Sequence, residues 1–363
     1  MQQPRSDAPI VFVAGPALGH VGRLTVIARH LRAMTDRPIC FVTPAFARYA
    51  DTVLNGEFEL IRVPVAEALR KRPAETFADG LEPVLIDLQP RLVVFDLCPL
   101  RWLSGLRFPD CPRILVTNFF VAGLLDSETY QSRWLQAESE SFAALRHRRG
   151  LPPLQRIQDL YAADRVLLAD PPPLVDGLGA LRPGYVVTGP CTWILDGILP
   201  EEMLPLSDLL LLCMGSTGRG DLDRAVTGRI AAWAGSSQTV YVGSRSDQVR
   251  AAGGADRCFD WLPLVPTLER TRVTVSQGGA GSSYLALSHG VPVVVMPTQT
   301  NHRILGDCIE AAGLGLCIDA PGDIDKFDRT EVGTLLDNTR RFLSRMDGID
   351  GAAAAARQIE EFA

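Results

Sequence analysis

Two residues far apart in the chain have the types needed to share one proton-transfer task. His20, one of five histidines, closes the turn Gly15-Pro16-Ala17-Leu18-Gly19-His20, after the apolar run Ile10 to Ala14 and before an amphipathic stretch reaching about Met34. A histidine at a helix start lies at the positive end of the dipole, which favours a neutral ring able to accept a proton. Asp96 ends the run Leu92-Val93-Val94-Phe95. Strand ends of a parallel sheet point to its ligand-binding edge, so a carboxylate there can orient an imidazole and stabilise its charged form. A packing histidine and a capping carboxylate are the plain alternatives. A third constellation, Gln277-Gly278-Gly279-Ala280-Gly281-Ser282-Ser283, joins an apolar run to a helix-like one. Free N–H groups, the helix dipole and glycines that admit close approach suit this loop to an anion. Ser282 and Ser283 are candidates to cap the helix or donate to oxygen. Such a loop can equally serve only to make the turn.

The elements that must position these residues repeat along the chain. Ile39 to Thr43, Glu59 to Val63, Leu92 to Asp96, Arg113 to Thr117, Arg165 to Ala169 and Tyr185 to Thr188 read as buried strands alternating with helices or loops, the pattern of a doubly wound parallel sheet. Between Asn118 and Tyr161 the pattern is helical and polar, with Trp134, Phe142 and Leu145 on one face, which suits a lid or a packing helix. The pattern restarts after a proline-rich stretch: Leu209 to Met214, Gly215-Ser216-Thr217-Gly218, a helix over Leu222 to Ala234, and a strand over Thr239 to Val242. The reading is therefore α/β, with an N-terminal domain over 1–190, a linker over 191–205, a C-terminal domain over 206–350 and a final helix over 351–363.

Composition narrows the function classes. A chain of 363 residues is long enough for two domains with separate cores, and 47% hydrophobic with 21% charged residues suits a soluble protein. A net charge of −6 argues against nucleic acid as a partner. The basic cluster Arg146-His147-Arg148-Arg149 reads as a solvated helix end, with docking of an anionic acceptor or a membrane surface as the sharper alternative. Cys40, Cys98, Cys111, Cys191, Cys213, Cys258, Cys308 and Cys317 form no metal-like spacing and read as free thiols in a reducing compartment. No run approaches the roughly 20 apolar residues of a membrane helix, and the N-terminal run is too brief for a signal-peptide core, so a cytoplasmic location is expected.

Taken with Trp261-Leu262-Pro263 and Met296-Pro297-Thr298-Gln299-Thr300-Asn301-His302, the glycine loop resembles the donor-binding signature of GT-B glycosyltransferases, above all the UDP-glycosyltransferase and antibiotic (macrolide-type) group. The Gly15 to His20 turn is similar to the one at which that family places its catalytic histidine, and Asp96 to the aspartate that holds it. The resemblance implies two Rossmann-like domains facing a cleft. It assigns catalysis to His20 and Asp96, with Gly19 in the acceptor loop. Nucleotide and diphosphate binding would fall to Gly215, Ser216, Trp261, Leu262, Gln277, Gly278, Gly279, Ala280, Gly281 and Ser282, and donor-sugar contact to Asn301 and His302. This sequence departs from the family at Gln277 (usually histidine), Leu264 (usually glutamine), Leu285 (often a ribose-binding glutamate) and Asn301-His302 (usually Asp-Gln). Loss of the ribose carboxylate suits a deoxyribose nucleotide.

The expected activity is inverting, metal-independent transfer of a sugar from a dTDP- or UDP-sugar to a hydroxyl of a small-molecule acceptor. No cofactor is expected beyond the nucleotide-sugar co-substrate, and no metal. A nucleotide-sugar 2-epimerase and a non-catalytic GT-B binding protein remain as alternatives, and a homodimer is left open.

Overall fold

The computed structural model describes residues 7–65, 73–96, 105–121, 143–153, 163–176, 181–215 and 224–363. Ser216, Trp134, Phe142 and Cys98, all named above, lie outside them. These residues form two compact units, one of Met1–Asp170, Leu178–Trp193 and Asp350–Ala363, the other of Pro171–Gly177 and Ile194–Ile349.

The first unit is built on a sheet of seven parallel strands: β1 (Ile10–Ala14), β2 (Ile39–Pro44), β3 (Glu59–Val63), β4 (Leu92–Asp96), β5 (Arg113–Thr117), β6 (Arg165–Leu168) and β7 (Tyr185–Val187). Their spatial order is β3-β2-β1-β4-β5-β6-β7. Strands covered on both faces have no polar side to alternate with, and hence read as unbroken apolar runs. In β1, Ile10, Phe12 and Ala14 pack with Val21, Leu24 and Ile27 of the helix Leu18–Arg32, while Val11 and Val13 pack on the other face with Phe77 and Leu81 of the helix Pro73–Leu88. The last helix, Gly351–Glu360, adds Ala352, Ala355, Ala356 and Ile359 to the first of these clusters. Its small residues let the backbone come close, and its start is fixed by Asp350, whose carboxylate accepts from the Ala353 N–H at 2.9 Å.

The second unit holds a six-stranded parallel sheet of β8 (Leu209–Cys213), β9 (Thr239–Val242), β10 (Arg257–Phe259), β11 (Thr271–Ser276), β12 (Val293–Val295) and β13 (Gly315–Cys317), ordered β10-β9-β8-β11-β12-β13. Both sheets reverse their winding direction once, between β1 and β4 and between β8 and β11, which is where open α/β sheets place ligands. His20 follows β1 and Asp96 ends β4, while Gly215 and Gln277 follow β8 and β11.

After the polar stretch, residues 143–148 are helical and Leu145 is buried. Its basic cluster is spent inside the first unit: Arg149 pairs with Asp79 and, at 2.9 Å, with Glu82, and Arg146 Nε donates to the Pro152 carbonyl at 2.7 Å. The seven described cysteines are all free. Among the described residues no helix is long and apolar enough to cross a membrane.

Candidate active site

The register Ala14↔Asp96 brings the ends of β1 and β4 level, and the Gly15 N–H donates to the Asp96 carbonyl at 2.8 Å. The chain then turns into the helix Leu18–Arg32, whose third residue is His20. Its Nδ1 lies 2.6 Å from Asp96 Oδ1. Gly15 must be small, because a Cβ there would come within 3.1 Å of His20 Cδ2 and press on the ring. Asp96 is only 3% exposed. Burial pushes its carboxyl up, but the Arg23 guanidinium and the His20 ring outweigh that and hold it below the usual carboxylate range. An ionised Asp96 can only accept, so the contact places the imidazole proton on Nδ1 and leaves the Nε2 lone pair available.

Arg23 was not anticipated from the sequence. It stands one helical turn beyond His20 and is 8% exposed, with Nε 3.3 Å from Asp96 Oδ2. The available signal was the i, i+3 spacing, which sets two side chains on one helix face. Farther along the same sheet edge, Asp170 is fully buried and accepts from Asn118 Nδ2 and the Phe119 N–H, both at 2.7 Å.

In the second unit the loop after β11 runs into the helix Ala280–Leu287, with Gly279 as its N-cap and no side-chain cap. Of the two roles open to Ser282 and Ser283, the helix cap is therefore not made. Ser282 Oγ donates to the Gly279 carbonyl at 3.4 Å, while Ser283 is buried with its Oγ 3.0 Å from Ser276 Oγ, which itself accepts from the Gly278 N–H at 3.1 Å. The serines thus brace the loop, and the N–H groups of Ala280, Gly281 and Ser282 are left without helical acceptors. Gln277 is buried between its neighbours: its Oε1 accepts from Thr298 Oγ1 at 3.4 Å, and its Nε2 is 2.9 Å from where a Cβ on Gly215 would sit. Thr298 Oγ1 also lies 3.0 Å from His302 Nδ1. With the threonine proton given to Gln277, His302 Nδ1 is the donor. The chain of bonds then turns the Gln277 amide hydrogens toward the Gly215 loop.

His302 is 7% exposed in the first turn of the helix Thr300–Ala311, and burial pulls its pKa down to about 4. It is neutral at neutral pH. The unfolded chain binds a proton here near pH 6.5 and the folded chain only near pH 4, so stability contributed by this residue falls as pH drops through that interval. Urea unfolding should show a loss of about 2 kcal/mol between pH 7 and 5 that His302→Asn lacks. Asn301, beside it, is half-buried. Trp261 is 41% exposed, so it is a surface ring rather than a core one, whereas Leu262 is buried. Leu285, at 5% exposed, faces the core.

Comparison with known proteins fits this geometry. Residues 237–345 match the family described as Erythromycin biosynthesis protein CIII-like, C-terminal domain. Over 353 residues the chain is 26% identical to the elloramycin glycosyltransferase ElmGT of Streptomyces olivaceus, covering 85% of each chain. The chain is similar to glycosyltransferases of antibiotic pathways. Glycosyltransferase GtfC of Amycolatopsis orientalis is 29% identical over 228 residues, 58% of this chain, and the match spans about half of that relative, 53% of its length. Among solved structures, the glycotransferase of kitacinnamycin superposes with a TM-score of 0.69 at 18% identity, covering 99% of this chain and 100% of that one. The spinosyn rhamnosyltransferase SpnG in complex with thymidine diphosphate gives 0.65 at 18% identity, covering 97% and 100%. The fold is GT-B.

Proposed function

We propose that this protein is an inverting glycosyltransferase that moves a sugar from a nucleoside diphosphate sugar, dTDP- in preference to UDP-, to a hydroxyl of a small natural-product acceptor. The 2.6 Å contact between His20 Nδ1 and Asp96 Oδ1 carries this reading. It makes His20 Nε2 a base. The acceptor hydroxyl loses its proton to Nε2 as its oxygen attacks the anomeric carbon, the bond to the diphosphate breaks on the opposite face, and Asp96 stabilises the imidazolium formed. The departing diphosphate is received by the glycine loop and by the first-turn N–H groups of Ala280, Gly281 and Ser282, so the scheme calls for no metal ion. Trp261 offers a face for the base. A buried Leu285 supplies no carboxylate to a ribose diol, which supports a deoxyribose nucleotide, as does thymidine diphosphate in the SpnG structure.

His20→Ala should lower kcat on the order of 100- to 10,000-fold. Calorimetric affinity for dTDP and UDP should stay at the wild-type value. Transfer at the wild-type rate would sink the assignment of His20, and a wild-type protein that binds neither nucleotide would favour the non-catalytic alternative.

A further inference from the structure

Asp96 is shared by two nitrogen-bearing side chains, and only one of them has a place in the reaction just proposed. Its Oδ1 meets His20 Nδ1 and its Oδ2 meets Arg23 Nε. The second contact, 3.3 Å and outside hydrogen-bonding geometry, is one of charge: Arg23 Nη1 and Asp96 Oδ2 are both shut away from solvent with no hydrogen-bond partner. A buried guanidinium left with an unused donor is expensive, and a packing role would be served as well by an aliphatic side chain.

We propose that Arg23 is a positioning residue that sets the proton affinity of the His20–Asp96 pair. The inference rests on His20 being the base. Arg23 is charged at every working pH. It keeps the buried Asp96 anionic, so that the carboxylate holds the Nδ1 proton and aims Nε2. It also draws on part of that carboxylate's field, so the imidazolium is stabilised less than beside an aspartate alone. His20 then takes the acceptor proton and gives it up again between turnovers. The charged groups around the pair fit this balance. Arg23 comes from His20's own helix and Asp96 from β4; Asp170 follows β6, Cys191 follows β7, and Asp350 caps the last helix. Arg23, Asp170 and Asp350 all act on the Cys191 thiol, which burial pushes up to about 12 and which therefore stays neutral.

The test is a pH titration of the histidine ring nitrogens in the 15N-labelled full-length protein, with the His20 signal assigned by its loss in His20→Asn. Neither donor nor acceptor is needed. In Arg23→Met and Arg23→Gln the His20 midpoint should rise by about one pH unit, and in Arg23→Lys it should stay near wild type. Where an acceptor is in hand, the acidic limb of kcat/KM should move the same way in the same variants. A midpoint unmoved in both neutral variants overturns the inference, as does a shift in Arg23→Lys equal to theirs, which would mark packing rather than charge. Retained transfer in His20→Ala would sink the proposed reaction and leave the titration result standing.

Discussion

Asp96→Asn is expected to lower kcat on the order of 1,000- to 10,000-fold, the scale set by removing the orienting carboxylate from a histidine base. It should also lower stability. Asparagine is nearly the same size, so the loss arises from charge and proton position. An amide nitrogen facing His20 would turn the imidazole to the tautomer with its proton on Nε2, which can no longer accept. With the amide oxygen facing His20 instead, the NH2 group meets the Arg23 guanidinium, donor against donor. Either way Arg23, 8% exposed, keeps its charge and loses its counter-ion. Breaking a buried pair on one side costs roughly 3–5 kcal/mol. Urea unfolding and steady-state kinetics on the same preparation check both parts. A variant within about tenfold of the wild-type kcat would show that Asp96 does not orient the base.

The strands on which this site rests were legible because most are short runs rich in apolar residues that stop at a turn-forming or polar residue. β1, β3, β4, β5 and β9 lie where that pattern puts them, with identical ends. β10 was not legible: Arg257–Phe259 is three residues long and begins with arginine at the sheet edge, too short for any periodicity to show. His20 and Asp96 could be read because both end or follow a strand, and topology brings such ends together at the point where the winding reverses. Arg23 offered only its i, i+3 spacing from His20, because an arginine in an amphipathic helix reads as part of the solvated face until the fold supplies its distant partner. The glycine loop reads as an anion cradle from sequence, and of the two roles open to its serines the structure excludes the helix cap. Ser282 and Ser283 have capping chemistry and stand just after the glycines, yet Gly279 takes the N-cap place, three residues before Ser282. The resemblance assigns Gln277 to diphosphate binding, in place of the usual histidine. Its burial between Gly215 and Thr298 shows that it also ties together the loops after β8 and β12, a long-range packing role that local sequence does not encode.

The loop glycines divide into two kinds, and substituting one of each should separate structure from ligand contact. Gly278 has φ +91°, which a residue with a Cβ adopts only under strain, and a Cβ there would lie 2.7 Å from the His302 carbonyl oxygen and 3.0 Å from its Cα. Those atoms belong to the first turn of the helix Thr300–Ala311, so the clash cannot be relieved by a rotamer change. Gly278→Ala must displace the loop from that helix, disturbing the bond from the Gly278 N–H to Ser276 Oγ and the Gln277–Thr298–His302 chain with it. The expected cost is about 2–4 kcal/mol in unfolding free energy, with nucleotide affinity falling on the order of 100-fold. Gly281 is the opposite case: it is exposed, in the first helical turn, and a Cβ there would meet nothing within 4 Å. Gly281→Ala should leave the melting temperature unchanged or slightly raised. If a diphosphate lies against this turn, the added methyl keeps it from the N–H groups, and dTDP affinity falls while stability does not. Wild-type dTDP binding in Gly281→Ala would mean that the phosphates do not approach the backbone there, and that the glycines of this loop serve the turn alone.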